Sequence, residues 1–488
     1  MTKTAIEKLA KEIISTVAEK EVERFLMEFL QGTEFANKAY AVGGYVRDQV
    51  LGLEAKDLDI VVSMKDGAEK LTHYIREQLG QSISTPRQMG ASYPIWQITF
   101  KEDITFNGET YKTAGAIIEF ADTMKETFPD ETTRQRQTEY GTLEEDVERR
   151  DFTVNMLLKD LSSGEVKDLT GTSREDLEKG ILRGHPRVSL DVIFSNDPLR
   201  MIRLLRFQAK YGWKIPLSVL KTVKRNAERI EIVSSERIMG ELEKVMAVGK
   251  LYQAIKLMKI TGLLKYVLPE IEALKGVTQG KDHHSEGDVF KHTLLVLKNA
   301  PKTVEGQLAA LLHDVGKART QEVLEDTVHF YTHEDVSAEM AEAILYRLKF
   351  DKKTIERVVK LVREHMRPHT LEGASPKAFR KLIRDMGEEL TDVLLDLAEA
   401  DSLGSYPIEN IVPNLREEIE RIRKAPVKME KKPILGGQEI MDTLHIKPGP
   451  KVGEVSKFLI ELADDYAEQG KKLSKEEAKE IIIKNYVA

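Results

Sequence analysis

Hydrophobic patterning changes once along the chain, near Gly180, and this change limits the folds that the sequence can adopt. Residues 38–180 carry short apolar runs separated by turn signals, a pattern typical of β-strands. Beyond Gly180 the apolar residues recur every three to four positions over long segments, as in amphipathic helices. The sequence therefore predicts an α+β head with a mixed sheet, followed by an all-α neck, body and tail. The predicted strands are 39–42, 58–62, 95–100, 116–120 and 166–169, and the clearest helices are 198–211, 235–248, 293–298, 306–317, 336–348 and 377–386.

Composition excludes several classes of protein. The chain has 41% apolar and 32% charged residues, and no apolar run approaches the ~18 residues needed to span a bilayer. We therefore expect a cytoplasmic protein that has no membrane partner. The absence of cysteine excludes disulfides, cysteine-ligated zinc and thiol catalysis, so any metal must be held by histidines and carboxylates.

The distribution of charge leaves room for a phosphate-rich partner. The net charge is −7, but residues 183–229 carry eleven Lys/Arg against three Asp/Glu, and residues 351–385 carry ten against five. Such segments can bind a nucleic acid or can form an ordinary solvated helix face. The motifs have to decide between these two roles.

Two glycines follow the first predicted strand. Gly43 and Gly44 stand between the apolar run 39–42 and a segment that continues with Tyr45-Val46-Arg47. Because glycine has no Cβ, the N–H groups at the start of the following helix stay open to a triphosphate, and Arg47 would add positive charge.

An Asp-x-Asp pair lies in the second predicted strand. Asp57 and Asp59 are two residues apart, and in a strand such residues point to the same side. Two carboxylates a few ångströms apart can hold two Mg²⁺ ions for phosphoryl transfer. Glu119, on another apolar strand, could supply a third carboxylate.

The order and spacing of these motifs resemble a known family. GGxVRD followed within a dozen residues by a DxD pair resembles the bacterial-type (class II) tRNA nucleotidyltransferase and poly(A) polymerase family, which has a polymerase beta-like head. RRDFTVN at 149–155 and NDPLR at 196–200 extend the resemblance. It implies catalytic, Mg²⁺-binding roles for Asp57 and Asp59. It implies nucleotide-binding roles for Gly43, Gly44, Arg47, Arg150, Asp151, Asn155, Asp197, Arg200, Arg203 and Arg206.

Asp197 and Arg200 have a chemical reason to select a base. Three apart on a helix, they would share one face. Cytosine and adenine each present an exocyclic amine beside an unprotonated ring nitrogen, which matches a carboxylate next to a guanidinium. The alternative is a simple helix cap, since Pro198 stands at the start of the same helix.

Three positions depart from the family pattern. Asn196 stands where the family has an acidic residue, Met156 where it has alanine, and Met124 where it often has arginine. Asn196 and Met124 keep restricted relatives open as alternatives, which add only CC, only A or a poly(A) tail.

Histidines cluster in the helical part, where eight of the eleven fall between His283 and His369. Imidazoles and carboxylates on successive helices can converge on one or two divalent ions. The order of the cluster resembles an HD phosphohydrolase domain, which would bind a divalent metal of unknown identity. The implied ligands are His292, His313, Asp314, His333, His365 and Asp401.

Together these resemblances imply an enzyme that adds CCA to the 3′ end of tRNA from CTP and ATP and grips the acceptor stem with its basic neck, residues 203–229. The HD centre is then either a second, phosphohydrolase site or a metal site that only stiffens the helical bundle. A hydrolase whose head only binds RNA or nucleotide is a further alternative. The expected domains are 1–35 (N-terminal helices), 36–180 (nucleotidyltransferase head), 181–285 (helical neck and body with nucleotide-selecting and RNA-binding helices), 286–405 (HD domain) and 406–488 (helical tail).

Overall fold

The computed structural model describes residues 3–90, 94–127, 137–279, 287–324, 327–405, 408, 410–424, 433–468 and 471–486. The chain forms two compact units, Met1–Leu268 and Pro269–Ala488. The five-part domain division expected from the sequence stays a prediction. Within the described part, none of the helices combines the length and the apolar character that a membrane crossing requires.

A mixed sheet forms the head in the first unit. Its strands are among β1 (Ala39–Val42), β2 (Asp59–Val62), β3 (Arg87–Met89), β4 (Ile95–Thr99), β5 (Ile104–Phe106), β6 (Glu109–Tyr111), β7 (Ile117–Asp122), β8 (Met124–Thr127), β9 (Gln137–Tyr140), β10 (Leu157–Asp160) and β11 (Val166–Asp168). Seven of them pair in the order β11-β10-β1-β2-β7-β4-β3, and β5–β6 and β8–β9 are separate two-stranded hairpins. Only β2 and β7 are parallel neighbours in the seven-stranded sheet.

Helices cover this sheet and continue beyond it. They are α1 (Lys3–Phe29), α2 (Gly44–Val50), α3 (Gly67–Leu79), α4 (Leu143–Glu148), α5 (Ser173–Lys179), α6 (Leu190–Asn196), α7 (Leu199–Tyr211), α8 (Leu217–Asn226), α9 (Ser235–Met246), α10 (Leu251–Thr261) and α11 (Leu264–Val267). A cluster of aromatic rings joins α1 to the β5–β6 hairpin through Phe25, Phe29, Phe106 and Tyr111. The described part of segment 1–35 contains one long helix, α1, where several helices were expected.

In its described residues, the second unit is helical apart from one hairpin. Its helices are α12 (Pro269–Glu272), α13 (Val289–Asn299), α14 (Val304–Leu312), α15 (Lys317–Thr320), α16 (His333–Arg347), α17 (Lys352–Arg363), α18 (Pro376–Met386), α19 (Glu388–Gly404), α20 (Val412–Lys424), α21 (Gly437–Leu444), α22 (Pro450–Glu468) and α23 (Lys475–Tyr486). The hairpin joins β12 (Glu322–Leu324) to β13 (Thr327–His329) and was not expected, because each strand is only three residues long.

The helix predicted over 306–317 is interrupted. It ends at Leu312, and the chain turns through His313 to Gly316 before α15 begins. Gly316 packs directly on α16: a Cβ atom there would lie 2.6 Å from the backbone nitrogen of Ser337, closer than real Cβ contacts come. This close approach brings the His313-Asp314 turn next to the first residue of α16, His333.

The fold class expected from the sequence is confirmed. All five predicted strands are present, each within two residues of its expected ends, and the apolar runs of β1, β2 and β7 contribute to the buried interior of the sheet. The strands that the pattern missed are short or partly exposed, except β10, whose apolar run is only two residues long.

Candidate nucleotide site and metal centre

The glycine turn opens one side of a large cavity in the first unit. Gly43 has φ of 70° and ψ of −133°, a backbone conformation that residues with a Cβ rarely adopt. It ends β1 and allows α2 to begin at Gly44. Both glycines line a cavity of about 1100 Å³, so the open helix start faces the space where a nucleotide would fit.

Three carboxylates meet in the same cavity. Asp59 is the first residue of β2 and lies opposite Glu119 of the parallel strand β7. Asp57 also lines the cavity, but it is not in the strand: it adopts φ of 60° just before β2 begins. The two aspartates line one cavity as expected, but the alternation of side chains along a strand does not explain this. Asp57 reaches the cavity because the backbone adopts a left-handed conformation just before the strand.

The electrostatics of this group suit a cation. Desolvation inside the cavity and the nearby Glu119 raise the pKa of Asp59 to about 6, and Asp57 adds to the effect, although the side chain stays open to solvent. Among the described residues, none donates a hydrogen bond to Asp57 or Asp59. Three converging carboxylates, of which Asp57 and Asp59 have no hydrogen-bond donor among the described residues, are the ligand set that Mg²⁺ prefers, so these residues fit the metal that the resemblance implies.

Gln97 is a member of this site that the sequence did not reveal. It lies on β4 directly opposite Glu119, and its side-chain amide donates to Glu119 Oε1 at 3.1 Å. The contact depends on the register between β4 and β7, which no local pattern encodes.

A chain of buried polar side chains runs along another wall of the cavity. The Arg47 guanidinium donates to both oxygens of Asp48 at 2.8 Å and to Asn155 Oδ1 at 2.8 Å. The Asn155 amide donates to Asp151 Oδ1 at 2.9 Å, and the Tyr211 hydroxyl donates to Asp48 at 3.1 Å. With Arg203, which donates to Asp151 Oδ2 at 2.7 and 2.9 Å, these six residues form what we call the buried polar network.

This network fixes the ionisation of Asp151. Burial opposes the charge, but Arg203 and the Asn155 amide outweigh it and hold the pKa of Asp151 well below its usual value. The network joins α2, the RRDFTVN segment and α7. It also commits Arg47 to internal partners, so Arg47 supports the glycine turn instead of presenting a free guanidinium to a triphosphate.

Replacing Asp48 by alanine should destabilise the first unit by about 3 to 5 kcal/mol, because it leaves the buried Arg47 guanidinium without its bidentate partner. Tyr211→Phe removes only the hydroxyl that donates to the same carboxylate and should cost about 1 kcal/mol. Urea unfolding of both variants measures the two values. Equal losses would show that Asp48 carries no pairing energy.

Helix α7 presents arginines to the cavity at every third residue. Arg200, Arg203 and Arg206 line the cavity, while Ile202 and Leu205 are buried on the opposite side. The three guanidiniums have internal partners: Arg200 donates to the Arg149 carbonyl at 2.7 Å, Arg203 to Asp151, and Arg206 to the buried Glu241.

Asp197 and Arg200 both line the cavity. Asp197 lies before α7 in an extended conformation, so the rule for residues three apart on a helix does not apply to it. Its carboxylate pairs with Arg237 of α9 at 3.0 Å and accepts from the backbone N–H of Leu199 at 3.3 Å. The helical spacing expected from the sequence therefore does not describe Asp197, although both side chains line one cavity as expected, and Arg237 is a further guanidinium beside the carboxylate.

Arg150 lies between the carboxylates and α4. Its guanidinium donates to Asp146 at 2.8 Å and its charge counteracts the rise in the pKa of Asp59. Of the positions that depart from the family pattern, Met124 and Met156 are buried, and Asn196 is the last residue of α6.

The second unit brings together all six predicted ligands of the HD centre. They come from α13, the turn after α14, the start of α16, the end of α17 and α19. His292 lies 2.9 Å from Asp401 and 3.4 Å from His313, measured from its Nε2. Asp314 lies between two groups: His292 and His313 face its Oδ2, and His333 and His365 face its Oδ1.

The histidines are oriented as metal ligands usually are. Three of them place Nδ1 against a backbone carbonyl, at 2.9 Å for His313 and His333 and 2.7 Å for His365. This leaves the Nε2 atom of each of these histidines, which faces Asp314, available as a metal ligand. Nε2 of His333 and of His365 is buried and has no hydrogen-bond partner among the described residues.

These observations fit a pair of divalent ions. The groups His292, His313, Asp314 and Asp314, His333, His365 each place their ligand atoms within 4.8 Å of one another. The sequence missed two neighbours of this centre. Lys317 lies 2.7 Å from Asp314, and His369 lies 3.6 Å from Asp401.

Three family models match the chain in order. They are the Poly A polymerase head domain over residues 39–183, the RNA and SrmB-binding site of polymerase A over 212–275 and the HD domain over 289–405. The chain is 30% identical to the CC-adding tRNA nucleotidyltransferase of Thermus thermophilus, over 91% of this chain and 93% of that one. It is 33% identical to the multifunctional CCA protein of Haemophilus influenzae (64% and 71%) and 32% identical to the A-adding tRNA nucleotidyltransferase of Deinococcus radiodurans (65% and 75%).

Solved structures share the fold. The Bacillus stearothermophilus CCA-adding enzyme in complex with CTP matches with a TM-score of 0.64 at 19% identity, covering 96% of this chain and 97% of that one. The Thermotoga maritima CCA-adding enzyme complexed with tRNA matches with a TM-score of 0.55 at 19% identity, covering 95% and 94%.

Proposed function

Because this chain belongs to the tRNA nucleotidyltransferase and poly(A) polymerase family, we propose that it completes the 3′ end of tRNA by adding CCA from CTP and ATP without a nucleic-acid template. The observation that carries this proposal is the convergence of Asp57, Asp59 and Glu119 with the glycine turn in one cavity. A binding-only head would not need three carboxylates held together against their mutual repulsion.

Asp57 and Asp59 would hold the catalytic Mg²⁺. When bound, Mg²⁺ supplies the Lewis acidity that activates the 3′-hydroxyl of the tRNA and stabilises the leaving pyrophosphate. Gly43 and Gly44 leave room for the triphosphate at the start of α2, and Arg150, at the side of the carboxylates, would bind it. The network residues Asp151 and Asn155 would position the sugar, with Arg47 and Arg203 holding them in place.

Asp197, Arg200 and Arg237 would select the base. All three line the cavity, and together they offer a carboxylate acceptor and guanidinium donors. A cytosine or adenine amine would donate to Asp197, and its ring nitrogen would accept from a guanidinium. The Asp197–Arg237 pair would have to loosen for the base to enter, since the carboxylate is engaged in its absence.

Unpaired lysines, and not the arginines of α7, would grip the tRNA backbone. Arg203 and Arg206 are committed to internal carboxylates, which removes them from the phosphate contacts expected of the neck. The basic neck, residues 203–229, has four exposed lysines, Lys210, Lys214, Lys221 and Lys224, and none of the described residues supplies them with a carboxylate partner. These lysines can release counterions on binding, as phosphate contacts require.

The second basic segment, 351–385, has a different role. Most of its charges pair with carboxylates of neighbouring helices, including Arg357 with Glu389, Lys377 with Asp465 and Lys381 with Glu461. These pairs hold the helices of the second unit together and leave little free charge for RNA.

Replacing Lys221 and Lys224 by alanine should weaken tRNA binding and reduce the slope of log K against log[salt] by about one for each lost phosphate contact. Filter binding at several salt concentrations measures the slope. Lys381→Ala, which removes a lysine paired with Glu461, is the matched control and should leave the slope unchanged. An unaltered slope in the double variant would assign the tRNA grip to other residues.

The product distinguishes the proposal from its restricted alternatives. Purified protein with Mg²⁺ is given tRNA transcripts that end at the discriminator base, at C or at CC, with CTP, ATP or both. Growth to CCA followed by arrest is the expected result. Arrest at CC, action only on CC ends or a long A tail would assign one of the restricted activities, and no extension of any transcript would overturn the nucleotidyltransferase proposal.

A second function is favoured by the ligand set around Asp314. Six buried or half-buried ligands with three oriented imidazoles exceed what helix packing requires, and they support a metal-dependent phosphohydrolase in the second unit. The identity of the metal at the HD centre stays open, because a mixed set of histidine and carboxylate ligands suits several divalent ions.

A further inference from the structure

A buried amide lies beside the HD centre but outside the residues that match the HD domain model. Gln279 precedes that match, which begins at residue 289, and is 6% exposed. Its Oε1 accepts a hydrogen bond from Lys317 Nζ at 3.0 Å. Its Nε2 is buried and has no hydrogen-bond partner among the residues that the structure describes.

Lys317 connects this amide to the metal ligands. The ammonium lies 2.7 Å from Asp314 Oδ2, while its stem is buried and Nζ lies 5.2 Å from the centre of the Phe330 ring. Phe330 also contributes the carbonyl that orients His333. Because the two polar atoms of an amide are bonded to one carbon, Gln279 Nε2 is one hydrogen bond away from Lys317, which itself contacts the metal ligand Asp314.

Gln279 Nε2 and Lys317 Nζ together favour an anionic ligand. An amide nitrogen and an ammonium are donors only, and two of the three protons on Lys317 are directed to Gln279 and Asp314. Burying an amide N–H without an acceptor is unfavourable, so its retention indicates an acceptor that arrives with a ligand. The missing partner is therefore an oxygen-rich group that also approaches divalent metal, and a phosphoryl group has both properties.

We propose that Gln279 Nε2, supported by Lys317, binds a non-bridging oxygen of the phosphoryl group that the HD centre hydrolyses. The inference rests on the phosphohydrolase function proposed above and adds to it a substrate contact supplied from outside the HD domain match. Gln279 would be a positioning contact for the phosphoryl group and not a metal ligand.

The test measures phosphate binding next to the HD metal. Asp59→Ala protein, which lacks the metal site of the head, is loaded with Mn²⁺, and the broadening of the ³¹P resonance of inorganic phosphate is titrated. Gln279→Glu in this parent places a carboxylate at the same position and should weaken phosphate binding at least ten-fold, with Mn²⁺ per chain unchanged. Gln321→Glu is the matched control because the amide of Gln321 is already bonded to Thr278, and phosphate binding should be unaltered.

Each other outcome has a definite meaning. Unchanged phosphate binding in Gln279→Glu, with normal binding in the parent, would overturn the contact while leaving the hydrolase proposal intact. Loss of Mn²⁺ in Gln279→Glu would overturn it too, because Gln279 would then act on the ligands. If the Mn²⁺-loaded parent neither binds phosphate nor hydrolyses phosphoesters, the hydrolase proposal itself fails. Gln279→Asn, which keeps the amide but shortens it, should bind phosphate with intermediate strength, and this separates loss of the contact from poor folding.

Discussion

Asp59→Ala will reduce nucleotide addition by at least about 1,000-fold, because the several kcal/mol that a bound metal contributes to the transition state is lost with its ligand. Asp59 stands where β2 begins, opposite Glu119. Single-turnover addition of CMP to a tRNA ending at the discriminator base measures the effect on chemistry separately from tRNA binding.

The tRNA affinity of Asp59→Ala should stay within about two-fold of the unaltered protein, since the unpaired lysines of the neck are untouched. Phosphoester hydrolysis by the second unit should also persist. Nucleotide addition that survives the substitution would contradict the assignment of the catalytic site, whereas loss of both activities would indicate a folding defect or one shared site.

Asp314→Asn is expected to empty both metal groups of the HD centre together. Each oxygen of Asp314 faces a different pair of histidines, so a single carboxylate serves both groups. We expect bound Mn²⁺ per chain at this centre to fall close to zero and hydrolysis to fall at least about 1,000-fold, because the metal that activates water is gone. Elemental analysis of the protein after gel filtration measures the metal directly.

Asp314→Asn is chosen because asparagine keeps the packing volume beside the buried Lys317. CCA addition serves as the internal control and should be unaffected. Retention of one ion per chain would show that Asp314 is not shared, and retention of full hydrolysis would remove the HD centre from the reaction.

Local sequence signals were sufficient where the chemistry depends on residue order. The glycine turn and the Asp-x-Asp pair each lie in a short motif, and so do the individual ligands of the HD centre. The structure brings the members of each group together. The roles of these residues stay predictions, since proximity alone does not establish catalysis.

Contacts across the fold could not be read from the sequence. Gln97 reaches Glu119 only through the register of two strands, and Arg237 reaches Asp197 from a helix 40 residues away. The conformation of Asp57 was also hidden, because the left-handed turn replaces the strand that its spacing suggested. The sequence was least informative about which charges are paired. The count of basic residues in 351–385 suggested a binding surface, but most of these charges have carboxylate partners inside the unit.

The buried polar network has an evolutionary consequence. Its six residues come from three separate sequence segments, and each one satisfies the hydrogen-bonding or charge of the next. A change at one position leaves an unmet charge at its neighbour, so the cost of each substitution depends on which residues occupy the other five. Descendants of this sequence should therefore replace these positions in compensating groups, and a single residue transplanted from a distant relative should be poorly tolerated even when it functions well there.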